Sequence, residues 1–125
     1  MACAAALASI EAIEEEGLFE NARRLEAFFV KRLEKMKADH RIVGDVRCKG
    51  CLMGVELVKD RGTKEPFDEA GKLVYQAAFR KGLAWIPAGH ILRMSPPIVM
   101  DLDVAAACMD IIDESIGEVE KKLGY

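Results

Sequence analysis

Cys48 and Cys51 form a Cys-x-x-Cys pair within RCKGCLMGVEL, the first place in the 125-residue chain where residue types and spacing suggest chemistry. Such a pair supplies half of a tetrahedral zinc site, but zinc needs two further ligands at comparable spacing, and no second pair exists. Cys3 and Cys108 fall in helical patterns and His40 and His90 in loops, so no metal site is expected. A thioredoxin-like pair sits at a helix N-terminus that lowers the thiol pKa, whereas a strand pattern follows Cys51. Reduced cysteines packed as small hydrophobes are the expectation.

Arg93 is the stronger candidate, because it lies in the short apolar run ILRMSPP, where a charge must either be paired or face a cleft. Its planar fork suits a carboxylate bidentately. An edge-strand arginine reaching solvent or a nearby glutamate is the plainer alternative. His90 has no carboxylate or nucleophile near it in sequence and reads as a turn residue. Ser95, ahead of two prolines, lacks a G-x-S-x-G elbow. Gly44, Gly50 and Gly54 lie between strand patterns and not ahead of a helix, so they do not make a phosphate loop.

These residues must be positioned by a single domain, since 125 residues can bury one core but hardly two. Hydrophobic residues make up 51% and charged residues 31%, a globular balance that argues against disorder. The net charge of −3, with lysines spread among glutamates, leaves no basic face for nucleic acid. No apolar run is long enough for a membrane span and the start lacks the basic region of a secretory signal, so no membrane partner and a cytoplasmic setting are expected.

The alanine-rich run from Ala2 to Glu16 predicts a helix with Leu7, Ile10 and Ile13 on one side, stopped by Gly17. Glu14, Glu15 and Glu16 sit unfavourably at its C-terminus, so either packing offsets them or the first helix runs almost directly into the second. Leu18, Ala22, Leu25, Phe29, Leu33 and Met36 predict that second helix through Lys37. Alternation predicts a half-exposed strand over residues 42–47 and a more buried one from Cys51, broken by Gly50. Asp68 is placed as N-cap of a helix over residues 69–81, closed by Gly82. Residues 83–86 and 91–94 read as strands around a Pro87-Ala88-Gly89 turn, and Asp101 as the cap of a long last helix. The predicted class is α+β, with helices on one face of a small, largely antiparallel sheet of about four strands.

Three segments together resemble the class III, or omega-type, pyridoxal-phosphate-dependent aminotransferases, such as the acetylornithine and 4-aminobutyrate enzymes. ACAAALASIEAIEEEGLFENA resembles the helix pair that follows their cofactor domain, DVRCKGCLMGVELVKDR their strand pair, and GLAWIPAGHILRMSPPIVM their segment with R-x-x-P-P. The fold this implies is the C-terminal small domain of fold-type I transferases, here residues 1–125 without the large domain. The resemblance implies an intact parent that moves an amino group from an amino acid or omega-amino donor to a 2-oxo acid, binds pyridoxal phosphate and forms a homodimer. The cofactor-bearing lysine and the other cofactor and catalytic groups would lie outside this chain, which by itself is expected to bind no cofactor and to be inactive. Arg93 matches the arginine that takes the substrate carboxylate, and Gly89 would shape the turn presenting it. Cys48 and Cys51 depart from the family, which has glycine and leucine there; if the glycine needs positive φ, Cys48 carries strain. Surface normally covered by the large domain would favour self-association. The rival reading is a free-standing α+β module that binds a carboxylate metabolite or a partner chain without catalysis.

Overall fold

The periodic apolar stripe of the second predicted helix becomes the spine of the core. The computed structural model describes residues 1–125 and contains, in order, α1 (Ala2–Glu15), α2 (Leu18–Asp39), β1 (Val43–Lys49), β2 (Leu52–Leu57), α3 (Asp68–Arg80), β3 (Ile91–Met94) and α4 (Leu102–Leu123). Leu25, Phe29, Leu33 and Met36 of α2 are all buried, because spacings of three and four residues keep them on one side of the helix. Met109, Ile112, Ile116 and Val119 do the same for α4, and Ala70, Val74, Ala77 and Ala78 for α3. By contrast α1 buries none of its residues, and Leu7 and Ile10 stand in solvent. Only Glu16 and Gly17 separate it from α2, with Gly17 at φ 63°, so the first helix runs almost directly into the second.

The three strands form one antiparallel sheet in the order β1-β2-β3. Val46 faces Val55 and Cys48 faces Met53, while Val55 and Met53 in turn face Leu92 and Met94. Side chains alternate along a strand, so this set lines the helix-covered face and Asp45, Arg47, Gly54, Glu56, Ile91 and Arg93 line the other. At the start of β1 the register shifts between Val43 and Asp45. Gly44 sits at that irregularity against Val58, whose methyls would lie 2.7 Å from an added Cβ.

Four details differ from the sequence-based expectation. Residues 83–86 do not form a fourth strand, so the sheet has three. The Leu83 N–H is spent on Ala78 O at the end of α3 (3.0 Å), and Trp85 packs edge-on against Tyr75, with ring centroids 5.4 Å apart. Instead of a ladder, an apolar cleft of about 370 Å³ is lined by Leu83, Trp85, Met94, Pro96 and Phe29. Asp68 is the first residue of α3 and not its N-cap, because its carboxylate turns toward His90. Asp101 does occupy the N-cap position of α4, but with its side chain making no cap hydrogen bond. Cys48 carries no positive φ: the hairpin's left-handed residue is Gly50, at φ 58°, so the expected strain at Cys48 is absent.

Candidate functional site

The turn before β3 is seated by two glycines from different parts of the chain. An added Cβ at Gly71, on α3, would lie 2.0 Å from Gly89 O, and one at Gly89 would lie 2.6 Å from Asp68 Oδ1. Gly89 also adopts φ 62°, the left-handed region that side chains resist. The helix and the turn therefore approach so closely that a side chain at either glycine would clash. From there the Leu57 N–H donates to His90 O (2.8 Å), which starts the pairing of β3 with β2 and places Arg93 opposite Gly54.

Period-two alternation then sends Leu92 and Met94 into the core and leaves Arg93 exposed on the open face. Of the sheet's three cations, Arg47 and Lys49 are paired and Arg93 makes no ion pair. Arg47 Nε donates to Asp45 Oδ2 (3.0 Å) and its Nη2 lies 3.9 Å from Glu56 Oε2. Hydrogen bonds from Arg47 and then Lys37 hold the Asp45 carboxyl below the usual carboxylate range. Arg93 thus offers free donors beside a neighbour whose charge is already engaged. That arrangement suits recognition of a carboxylate, for which a guanidinium fork has matching geometry.

The other sequence candidates fall in different surroundings. His90, without a carboxylate nearby in sequence, gains two in space: its Nδ1 lies 3.3 Å from Asp68 Oδ1 and its Nε2 3.9 Å from Glu56 Oε1. Cys48 is half-buried and Cys51 buried, and burial pushes both thiols above their ordinary range. Neither is thereby primed as a thiolate nucleophile. Ser95 is exposed beyond the end of β3 and lines, with Arg93, the cleft beside Leu83 and Trp85.

Two arrangements escaped sequence reasoning. His40 lies between Glu120 Oε2 (2.8 Å from Nδ1) and Asp113 Oδ1 (3.0 Å from Nε2), joining the end of α2 to α4. Asn21 Nδ2 donates to Ile98 O and Met100 O, fastening the segment after β3 to α2. The only signal for Asn21 is a polar residue near the buried stripe of an amphipathic helix, and for His40 there is none, since its partners are more than 70 residues away.

Residues 1–116 match the family model described as aminotransferase class-III. The chain belongs to the class-III aminotransferase family. Among relatives of this class-III chain, a leucine/methionine racemase of Thermococcus litoralis is 41% identical over 122 residues, covering 97% of this chain and 28% of the racemase. A 4-aminobutyrate aminotransferase of Mycobacterium leprae is 39% identical over 122 residues, covering 94% of this chain and 27% of that enzyme. The PMP-bound form of an aminotransferase from Vibrio fluvialis superposes with a TM-score of 0.87 at 29% identity, covering 94% of this chain and 26% of that one. The class-III chain thus spans little more than a quarter of the length of these relatives.

Pyridoxal phosphate in this family is carried by a lysine, and Lys35, Lys59 and Lys81 do not fit that task. A Schiff-base lysine needs its pKa depressed by desolvation or a cationic neighbour. Lys35, Lys59 and Lys81 are instead held above the usual range by hydrogen bonds to Asp39, Glu65 and Glu118, respectively.

Proposed function

We propose that this chain is the C-terminal domain of a pyridoxal-phosphate-dependent aminotransferase that moves an amino group between an amino donor and a 2-oxo acid. The domain walls one side of the substrate cleft, and Arg93 binds a carboxylate of the substrate. Gly89 shapes the turn that presents it. The observation that carries this reading is the unpaired, exposed guanidinium of Arg93 on the open face of the sheet, in a chain belonging to this family. Cofactor and catalytic groups belong to the part of the parent outside these residues, which would also cover the exposed Leu7 and Ile10 of α1. The parent works as a homodimer in the cytoplasm.

Substrate recognition by Arg93 follows from charge-assisted hydrogen bonds, which contribute about 1.5–3 kcal/mol each when the partner is ionised. In the parent polypeptide Arg93→Gln should therefore raise KM for a carboxylate substrate by about ten-fold to one-hundred-fold, with a smaller effect on amines lacking a carboxylate. An equal loss for both amine classes would overturn the role of Arg93. Racemisation is a second reading, favoured by the 41% identity to a leucine/methionine racemase. Assaying the parent with an L-amino acid, with and without pyruvate, separates the two. Turnover that needs the 2-oxo acid supports amino transfer, and D-isomer formation without it supports racemisation.

A further inference from the structure

The apolar cleft of about 370 Å³ beside β3 has walls that are each held from outside it. One wall is residues 83–86, where the Leu83 N–H is bonded to Ala78 O (3.0 Å) and the Trp85 ring rests edge-on against Tyr75 (5.4 Å between centroids). The opposite wall is the segment after β3, in which Asn21 of α2 takes the carbonyls of Ile98 and Met100. Pro96 and Pro97 have no N–H to extend the pairing of β3 into that segment. Phe29, Met109 and Ile112, all buried, form the floor. Neither Ala78, Tyr75 nor Asn21 lines the cleft, so its shape is set by the fold around it.

The lining is apolar except for Arg93 and Ser95, and Arg93 is its one charged residue. Small-molecule sites have this composition, an apolar body with a few polar groups that fix orientation. A single exposed guanidinium on such a cleft selects a ligand with one carboxylate and an uncharged remainder. A second charge would be desolvated there without a partner. Four of the chain's six methionines, Met53, Met94, Met100 and Met109, line the cleft, and flexible thioethers adapt to more than one apolar shape. We propose that this cleft is a side-chain pocket of the substrate site, taking the apolar side chain of a monocarboxylic amino acid or 2-oxo acid whose carboxylate is held by Arg93. This rests on the reading of Arg93 as the carboxylate-binding residue and adds the class of side chain that accompanies the carboxylate.

The chain has a single tryptophan, so the indole N–H of Trp85 reports on the cleft directly. The test is a set of NMR titrations of the 125-residue chain with ketoleucine, pyruvate and isobutyl methyl ketone at constant ionic strength. Ketoleucine should move the indole resonance saturably and bind about ten-fold to fifty-fold tighter than pyruvate, for three additional buried carbons. The ketone, with the same isobutyl group and no carboxylate, should bind about ten-fold or more weaker than ketoleucine. Ala84→Phe puts a ring at the exposed rim of the cleft and should bring ketoleucine to within about three-fold of pyruvate. Should that variant fail to fold, the wild-type comparison of the two acids decides. Equal affinity for ketoleucine and pyruvate, or no saturable indole shift, overturns the pocket. So does an indole shift that follows protein concentration alone, which would put a second copy of the chain in the cleft. Arg93→Gln separates the two layers: if it weakens both acids while the wild type binds them equally, only the pocket falls. If it binds ketoleucine as the wild type does, the role of Arg93 falls as well.

Discussion

The two faces of the sheet are built from the same three strands and obey opposite rules. On the helix-covered face Met53, Val55, Leu92 and Met94 are buried and pack against Phe29, Met109 and Ile112. On the open face Arg47 and Arg93 stand in solvent around Gly54, with Glu56 and Asp45 beside them. The first face is filled to hold the domain together, and the second is left partly empty and charged. The difference follows from which side the helices cover, one face excluding water and the other keeping its charges in it.

The largest way to break this comparison is to empty the filled face. Phe29→Ala removes a ring that is 1% exposed and should cost about 3–5 kcal/mol, measured as a fall in the urea midpoint. A loss below about 1 kcal/mol would mean that this face is not the core that supports the sheet. Next in size is Gly71→Ala, which forces a methyl to within 2.0 Å of Gly89 O. The helix or the turn must move, at a cost of about 1–3 kcal/mol by the measure of overpacked cores. Because that turn leads into β3, the amide of Arg93 should shift in the same variant, and an unmoved Arg93 would disconnect the glycine pair from the site.

The smallest effect belongs to the open face and sharpens the contrast. Hydrogen bonds to Arg47 and Lys37 lower the folded-state pKa of Asp45 below its unfolded value, so the folded state favours the ionised form. Its contribution is complete above the unfolded-state pKa, near 4, and is lost as pH falls through the lower folded value. With the side chain 32% exposed, the pair contributes about 0.5 kcal/mol or less. Asp45→Asn should therefore lower stability slightly at pH 7 and leave it unchanged well below pH 3, with the two acid-denaturation curves merging. Curves separated equally at both pH values would show that charge is not the cause.

Much of the helical content was legible because it is local. The stripe from Leu25 to Met36 buries the face that its spacing defines, whereas the last helix was legible as a helix but its buried side runs through Met109 and Ile116 and leaves Val104 exposed. The alternation of Met53, Val55 and Leu57 likewise placed β2 and its inward side. Residues 83–86 failed as a strand because apolar composition says nothing about an available partner, and here the first N–H had already been taken by α3. Asp68 failed as a cap because its carboxylate is used by a histidine 22 residues away. The cysteine pair drew attention through spacing, yet burial leaves both thiols in their protonated range.

The sequence by itself determined which residues turn inward on α2 and β2, and the family motifs around Arg93. Each depends on periodicity or on short contiguous runs, which the covalent chain enforces directly. Only the tertiary structure decided that Arg93 stands unpaired across Gly54 from Arg47, that His40 bridges Asp113 and Glu120, and that Gly71 receives the turn at Gly89. Those arrangements come from register and packing between distant segments, where one neighbour's side chain or its absence sets what another can touch.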